Sequence, residues 1–379
     1  MENKEIFKHE KEKCNMKSKW KYGVVFILVL IFGVFIMKFI SSIKLKENHV
    51  PVDSYAVSVI ETSTQTDRST ITYYDNQLQE QGKQSISYGG LCEGEQPIIN
   101  DNKAYLFAAG DKMSSKNTVL EIDLISGVQK EYSMPEDASS WSLQVDDENM
   151  YVTSNTESLI YSINKETEER RTLKFNQNKA GYVSDLVLNA GVLYAFCDNF
   201  DDKSPSYLYE IDVDVFSVVE KTDISKYGQG LVGSCFYNDK LYVSFSQLGD
   251  NTELDYICEY SLKTKEVRKI GVGAKNPTQI KEHNGLLYIL HTDKHDEDSA
   301  SSISIYNPKT EVIENREFKR HISSIEFMND KMYLYGNDML SVYSIEEDRM
   351  YLEKEEDVYT EKDNSCKYWV SGFFLKDCD

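Results

Sequence analysis

Several residue types and sequence patterns are scarce in this chain, and each scarcity narrows the class of fold that the chain can adopt. Among 379 residues there are only 6 Pro and 3 Trp. No stretch after residue 50 has the spacing of a long amphipathic helix. No Cys-x-x-Cys pair occurs, so the sequence gives no support to a structural zinc site or to thioredoxin-like chemistry. These features favour a chain built mainly of strands.

Basic residues are also in deficit. The chain has 42 Lys and Arg against 63 Asp and Glu, and residues 51–379 alone carry a net charge of −26. Such a surface repels nucleic acid and anionic lipid head groups, and it attracts cations or basic proteins. We therefore predict no nucleic-acid partner. The alternative is that this acidity serves only to keep the domain soluble.

The chain does contain a repeated sequence pattern: a polar turn, a strand-like run with a Tyr, a loop, and a second run that ends on a polar residue. Successive copies are 43 to 50 residues apart, a period typical of propellers or solenoids. The aligned residues are Tyr55, Tyr105, Tyr151, Tyr194, Tyr242, Tyr288 and Tyr333.

Each repeat divides into four short strands. The clearest copies of the second strand follow Asn238, Asn284 and Asn329, because Asn tolerates the positive φ that a tight turn requires. The fourth strand is the most charged, which places it at the outer rim of a blade. The pattern predicts an all-β fold of four-stranded units.

The two ends of the repeat region complement each other. Residues 54–60 have the second-strand pattern with no first strand before them, and residues 369–377 resemble a first strand with nothing after it. Pairing the two would complete one blade and close the ring, which removes exposed sheet edges. We predict a seven-bladed β-propeller over residues 54–379, whose C-terminal strand completes the first blade.

An apolar segment precedes the ring. Residues 22–37 carry no charge, and the apolar character continues to residue 43, about the length that crosses a bilayer. Six Lys within residues 8–21 favour a cytoplasmic N-terminus. We predict a basic cytoplasmic segment (1–21), a transmembrane helix (22–43) and a tether (44–53) that holds the ring outside the cell membrane. The alternative, a cleaved signal peptide, has only a poor cleavage site at residues 39–43.

Of the seven cysteines, Cys14 precedes the apolar segment and the other six lie in the predicted external domain, an even number in a compartment that permits disulfides. Cys92 and Cys366 fall just before first strands of adjacent blades, and they are the pair to test first. Those within strand patterns are expected to be small buried hydrophobic residues, and Cys378 stays unassigned. The buried set is Cys197, Cys235 and Cys258.

Carboxylates recur in the loops between second and third strands of three neighbouring blades. They would gather on one sector, where they could bind a hard cation such as Ca²⁺ or a basic patch on a partner; otherwise they are ordinary hydrated loops. Within the last loop, alternation along an extended strand would let His291, Asp293 and His295 converge on a metal, or all three are simply solvated. The acidic set is Asp198, Asp201, Asp202, Asp250, Asp255, Asp293, Asp296 and Asp298.

A second candidate surface is the axial funnel lined by the first strands. A polar or small residue recurs nine positions before the aligned tyrosines, and aromatic residues lie just ahead of some first strands. The alternative is that small polar residues only fit the crowded inner end of each blade. The candidate funnel residues are Gln96, Trp141, Ser142, Asp185, Gln279 and Trp369.

The blade that begins Tyr151-Val-Thr-Ser-Asn155 resembles a YVTN unit. More broadly, residues 54–378 are similar to bacterial seven-bladed propellers of the YVTN-repeat, PQQ-like and NHL type. That resemblance implies ligand binding or a protein-interaction platform more than catalysis. No catalytic residue of these families can be carried over, and three Trp are too few for the docking pattern of PQQ enzymes.

The sequence therefore predicts a non-catalytic binding module without a cofactor, whose partner is an envelope or secreted protein with a basic surface. One rival is a metal-dependent, lactonase-like envelope hydrolase, which needs three or four ligating side chains at the axis; the inner row offers only Asp185 as an acid. A second rival is a cell-wall glycan binder, which would present Trp141, Tyr182 and Trp369 on one rim.

Overall fold

The computed structural model describes residues 55–92, 96–108, 118–134, 142–154, 157–199, 204–247, 252–293, 299–346, 349–358 and 368–376. Val50–Asp379 forms one compact unit. The predicted basic segment, transmembrane helix and tether lie outside the described residues. Within the described residues, no helix combines the length and the apolar character that a membrane span requires.

Seven antiparallel sheets of four strands make up the described part of the chain. Blade 1 contains β1 (Val57–Thr62), β2 (Ser69–Tyr74), β3 (Glu80–Ile86) and the last strand of the chain. Blade 2 contains β4 (Ile98–Asn100), β5 (Lys103–Ala108), β6 (Thr118–Asp123) and β7 (Gln129–Ser133). Blade 3 contains β8 (Leu143–Val145), β9 (Asn149–Ser154), β10 (Leu159–Asn164) and β11 (Arg170–Lys174).

The remaining blades follow the same order from the axis outward. After a one-turn helix, α1 (Gln177–Ala180), blade 4 contains β12 (Tyr182–Asn189), β13 (Val192–Asp198), β14 (Tyr207–Asp212) and β15 (Ser217–Asp223). Blade 5 contains β16 (Gln229–Tyr237), β17 (Lys240–Gln247), β18 (Tyr256–Ser261) and β19 (Val267–Gly271). Blade 6 contains β20 (Pro277–His283), β21 (Leu286–His291), β22 (Ser302–Tyr306) and β23 (Ile313–Glu317). Blade 7 contains β24 (Ser324–Met328), β25 (Lys331–Gly336), β26 (Met339–Glu346) and β27 (Arg349–Asp357).

The final strand, β28 (Trp369–Leu375), closes the ring. It pairs antiparallel with β1, with Val57 opposite Leu375 and Thr62 opposite Trp369. Blade 1 therefore has the order β28, β1, β2, β3. The prediction of a seven-bladed propeller with a C-terminal closing strand is confirmed.

Hydrophobic packing joins the blades into one ring. Each of seven buried clusters combines residues of two successive blades, and one of them joins blade 7 to blade 1. The aligned tyrosines lie in these clusters, with Tyr105 and Tyr151 fully buried. The repeat seen in the sequence is therefore the repeat of the packing contact between blades.

The ring has two distinct faces because strands alternate in direction. One face carries the loops from second to third strand and the connections between blades, and we call it the loop face. The opposite face carries the hairpins that join first to second and third to fourth strands, and we call it the hairpin face. On the hairpin face Asn238, Asn284 and Asn329 have φ of 55°, 52° and 53°, as predicted for their turns.

Candidate functional site: a cleft on the loop face

The funnel candidates connect the inner strands of neighbouring blades. The Gln279 side-chain oxygen accepts a hydrogen bond from the Ile325 backbone N–H at 3.0 Å. The Gln96 oxygen accepts one from the Phe373 N–H at 3.4 Å. Each pair joins the first strands of two successive blades, so these amides serve as links around the axis.

Ser142 and Asp185 form a third link of this kind, between blades 3 and 4. The Ser142 hydroxyl donates to Asp185 Oδ1 at 2.7 Å and accepts from the Leu186 N–H at 3.1 Å. Ser142 is itself buried. Trp369 is half-buried opposite Thr62, and Trp141 lies outside the described residues.

The acidic candidates do not share one environment. Asp198 ends β13, and its side chain is 3% exposed. Its Oδ2 accepts hydrogen bonds from the Ser184 hydroxyl at 3.0 Å and from the Gly230 N–H of blade 5 at 3.2 Å. Asp198 therefore links blades 4 and 5 inside the ring rather than forming part of a solvated loop. Outside the described residues are Asp201, Asp202, Asp250, Asp296 and Asp298.

The predicted metal ligands are likewise separated by burial. His291 is 3% exposed, and its ring nitrogens lie 3.1 Å from the Lys275 carbonyl oxygen and 2.7 Å from the Ser304 hydroxyl. Both nitrogens thus have protein partners, and burial lowers the pKa of His291 to about 4. His295 lies outside the described residues, among which no three His, Cys, Asp or Glu side chains are placed to hold a metal.

Part of the acidity of the described blades is structural. Glu259 accepts hydrogen bonds from Tyr242 at 2.9 Å and from two nitrogens of Arg268 at 2.7 and 2.9 Å, and it pairs with Lys240 at 3.0 Å. Burial raises the pKa of this carboxyl, but the hydrogen bonds from its cationic partners hold it below its usual value. Buried carboxylates recur opposite an aligned Tyr in three blades: Glu121, Glu210 and Glu259.

A cleft of about 400 Å³ opens on the loop face between blades 5 and 6. Its walls come from the first half of β16, the end of β17, the segment before β18, the start of β20 and the residues that follow β21, so five segments from two blades converge there. The lining residues are Val232, Phe245, Ser246, Gln247, Glu253, Asn276, Pro277, Thr278, Thr292 and Asp293.

The lining combines apolar side chains, which we call the apolar wall, with two carboxylates. Val232, Phe245 and Pro277 supply the apolar wall, and Phe245 packs into the core shared by blades 4 and 5. Glu253 and Asp293 supply carboxylates from blades 5 and 6 respectively. Such a combination binds ligands that carry both an apolar body and a polar tip.

One cation of the chain, Lys275, already pairs with a carboxylate of the cleft lining. Lys275 Nζ donates to Glu253 Oε2 at 2.9 Å, and the Asn276 side-chain amide donates to Glu253 Oε1 at 3.4 Å. The hydrogen bond from Lys275 lowers the pKa of Glu253, and Glu253 in turn raises the pKa of Lys275. Exposed Asp255 raises the pKa of Lys275 further but does not line the cleft.

Sequence reasoning found only one of the lining residues, Asp293. Glu253 lies in the same acidic run as Asp250 and Asp255, which were the two residues of that run predicted to bind. Asn276 has a φ of 55°, which the sequence signals only as an Asn before Pro277. The convergence of blades 5 and 6 on one cleft depends on the ring geometry and has no local sequence pattern.

A smaller cavity of about 200 Å³ lies between blades 6 and 7 near the hairpin face. Its lining is mainly apolar, with Leu286, Ile305 and Met350 among its members. Its one carboxylate, Glu314, pairs with Arg316 at 2.7 Å. We place the candidate site in the larger cleft because several polar groups converge there.

Comparison with known proteins supports the fold and goes no further. No protein-family model and no curated protein matches this chain. Among solved structures, the computationally designed Ika8 protein is 12% identical with a TM-score of 0.52, over 86% of this chain and 99% of Ika8. Hsv2 of Kluyveromyces lactis is 10% identical with a TM-score of 0.52, over 80% of this chain and all of the Hsv2 chain.

A third structure, of a hypothetical selenium-binding protein from Sulfolobus tokodaii, is 11% identical with a TM-score of 0.54. The alignment covers 69% of this chain and 75% of that one. In total 908 solved chains match, so the fold is widespread and does not single out a function. These matches support the propeller fold, and the resemblance to YVTN-repeat, PQQ-like and NHL-type propellers stays a prediction.

Proposed function

We propose that this protein is a non-catalytic binding module of the YVTN-like kind. The apolar segment 22–43 holds it in the cell membrane, and its ring faces the outside. Its loop face binds a basic surface of an envelope or secreted protein through the cleft between blades 5 and 6. No cofactor takes part. The observation that carries this proposal is a cleft on the loop face whose lining includes the carboxylates of Glu253 and Asp293.

The use of the other acids supports this choice of face. Asp198 and the three carboxylates opposite aligned tyrosines are buried and hydrogen-bonded within the ring. Glu253 and Asp293 instead stand at an opening large enough for a side chain of a partner. Opposite charges across an interface speed association and select the partner more than they add raw affinity.

Binding is better supported than hydrolysis at the axis. Asp185, the inner-row acid, accepts hydrogen bonds from the Ser142 hydroxyl and from the Leu186 N–H at 2.8 Å. Asp185 is therefore better suited to linking blades 3 and 4 than to moving a proton.

The test compares two variants of the full-length protein that lose the same charge. Affinity for an immobilised oligolysine peptide should fall several-fold more in Glu253→Gln/Asp293→Asn than in Glu166→Gln/Glu169→Gln. The second pair lies in an exposed hairpin-face turn of blade 3. Equal losses would mean that acidity acts only through net charge, and would overturn the proposal.

Membrane anchoring and orientation need a separate measurement. Protease added to intact cells should degrade the acidic ring domain and leave the basic N-terminal segment, and carbonate washing should leave the protein in the membrane fraction. A ring domain that stays intact until the cells are broken would contradict the proposed orientation. Release by carbonate would contradict the anchor.

A further inference from the structure

We infer that the cleft between blades 5 and 6 receives the side chain of a lysine. This inference rests on the proposed function and names the group that the partner supplies. A lysine side chain is an apolar four-carbon stem with a compact ammonium at its tip. The cleft offers both kinds of surface, since Phe245 and Pro277 line it together with the carboxylates of Glu253 and Asp293.

The chain itself shows that an ammonium fits at Glu253. Lys275 Nζ lies 2.9 Å from Glu253 Oε2, and both side chains are largely solvent-exposed, at 69% and 51%. An exposed ion pair of this kind contributes little to stability, so a second ammonium can exchange with it. Lys275 is then an internal competitor at the mouth of the cleft.

The arrangement favours an ammonium over a guanidinium. Arg binds best when both oxygens of one carboxylate face its planar fork. At Glu253 the two oxygens already accept from different donors, Asn276 and Lys275. The second carboxylate comes from Asp293 on the neighbouring blade. Carboxylates on two walls suit a point charge with three donors directed apart.

The apolar wall is part of the recognition, because an ammonium alone would bind as any exposed ion pair does. Phe245 is 3% exposed overall and still forms part of the cleft lining. Val232 is the extra residue of a β-bulge, where the register shifts between Leu231 and Gly233. This bulge turns the strand at the cleft and presents an aliphatic side chain to it.

The test uses three small probes with the full-length protein in detergent micelles and ligand-observed NMR. Nα-acetyl-lysine methylamide should bind about tenfold more tightly than its norleucine analogue, which lacks the ammonium, and more tightly than its arginine analogue. Asp293→Asn should weaken the lysine probe about tenfold. Glu266→Gln removes the same charge on the hairpin face of blade 5, and it should change affinity less than twofold.

Removing Lys275, the internal competitor, provides a second test, in which affinity should increase. Lys275→Met should tighten binding of the lysine probe several-fold, while Lys263→Met, on the hairpin face of the same blade, should leave it unchanged. Equal binding of the three probes would overturn the inference, as would equal effects of Asp293→Asn and Glu266→Gln. In either case, face-specific affinity for oligolysine would still decide the proposed function separately.

Discussion

Protonation of His291 should weaken the ring in mildly acidic solution. This histidine is buried at the end of β21, with one ring nitrogen 3.1 Å from the Lys275 carbonyl oxygen and the other 2.7 Å from the Ser304 hydroxyl. The Ser304 hydroxyl also lies 2.8 Å from the Val272 carbonyl oxygen and 2.6 Å from the Asn315 side-chain oxygen. A charged imidazole at this position would be removed from water without a counter-ion.

The sign and size of the change in stability with pH follow from the pKa values of His291 in the folded and unfolded chain. Burial lowers the pKa of His291 to about 4 in the folded chain, against 6.5 for an ordinary histidine. Between these values the unfolded chain binds a proton that the folded chain does not, so stability rises with pH. The contribution is complete above about pH 6.5 and is lost as the pH falls, by about 2 kcal/mol at pH 5.

The assay is chemical unfolding of Val50–Asp379 at about pH 7.5 and pH 5, for the wild type and for His291→Gln. The free energy of unfolding should fall about 2 kcal/mol less in the variant than in the wild type over this interval. His283, whose pKa burial also lowers, contributes equally to both. Parallel losses in the two proteins would refute the assignment of a buried, neutral His291.

Three further predictions concern the ring. Deleting residues 368–379 removes the strand that contains buried Phe373 and Phe374, so the melting temperature should fall by at least about 10 °C; an unchanged melting curve would exclude the closing strand. Glu259→Ala removes the buried carboxylate that accepts from Tyr242 and Arg268 and should cost about 1–3 kcal/mol in denaturant unfolding, whereas a loss below about 0.5 kcal/mol would make this an ordinary surface pair. Gly233→Ala places a Cβ 2.7 Å from the Thr278 carbonyl oxygen, so it should cost about 1–3 kcal/mol, and a neutral result would show that blades 5 and 6 separate easily.

The fold was predictable because its signal is repeated and local. Each copy places a Tyr in the packing layer between two blades, and turns such as the one at Asn284 need residues that accept positive φ. The closing strand was predictable because residues 54–60 have the pattern of a second strand with no first strand before them. Residues 369–377 have the pattern of that missing first strand. Both inferences concern which residues are apolar or turn-forming, which a single sequence states directly.

The candidate site was less predictable because charge density does not report burial. The run that begins at Asp198 looks like a solvated loop, yet Asp198 is the last residue of a strand and accepts a hydrogen bond from Gly230 in the next blade. Cys197 and Cys258 are buried, as predicted, and Cys235 is partly buried. Cys92 is buried too, but its predicted partner Cys366 lies outside the described residues.

The inner row shows how a correct pattern leaves its role open. Sequence spacing placed Gln279 and Ser142 in first strands, and the structure finds them there or directly before. It also shows that their side chains reach backbone N–H groups of the next blade. The sequence period is the same for a polar residue that faces a neighbouring strand and for one that faces a wet channel. The structure is therefore needed to distinguish these two roles.

The most direct test asks which face of the ring touches a partner in its own membrane. A photoreactive amino acid would replace Gln247, which lines the cleft, and in a matched chain Lys263, which lies on the hairpin face. In intact membranes we expect a defined crosslinked protein from position 247 alone, lost when Glu253→Gln and Asp293→Asn are added. Crosslinking from position 263 alone, or from neither position, would contradict a binding function of the loop face.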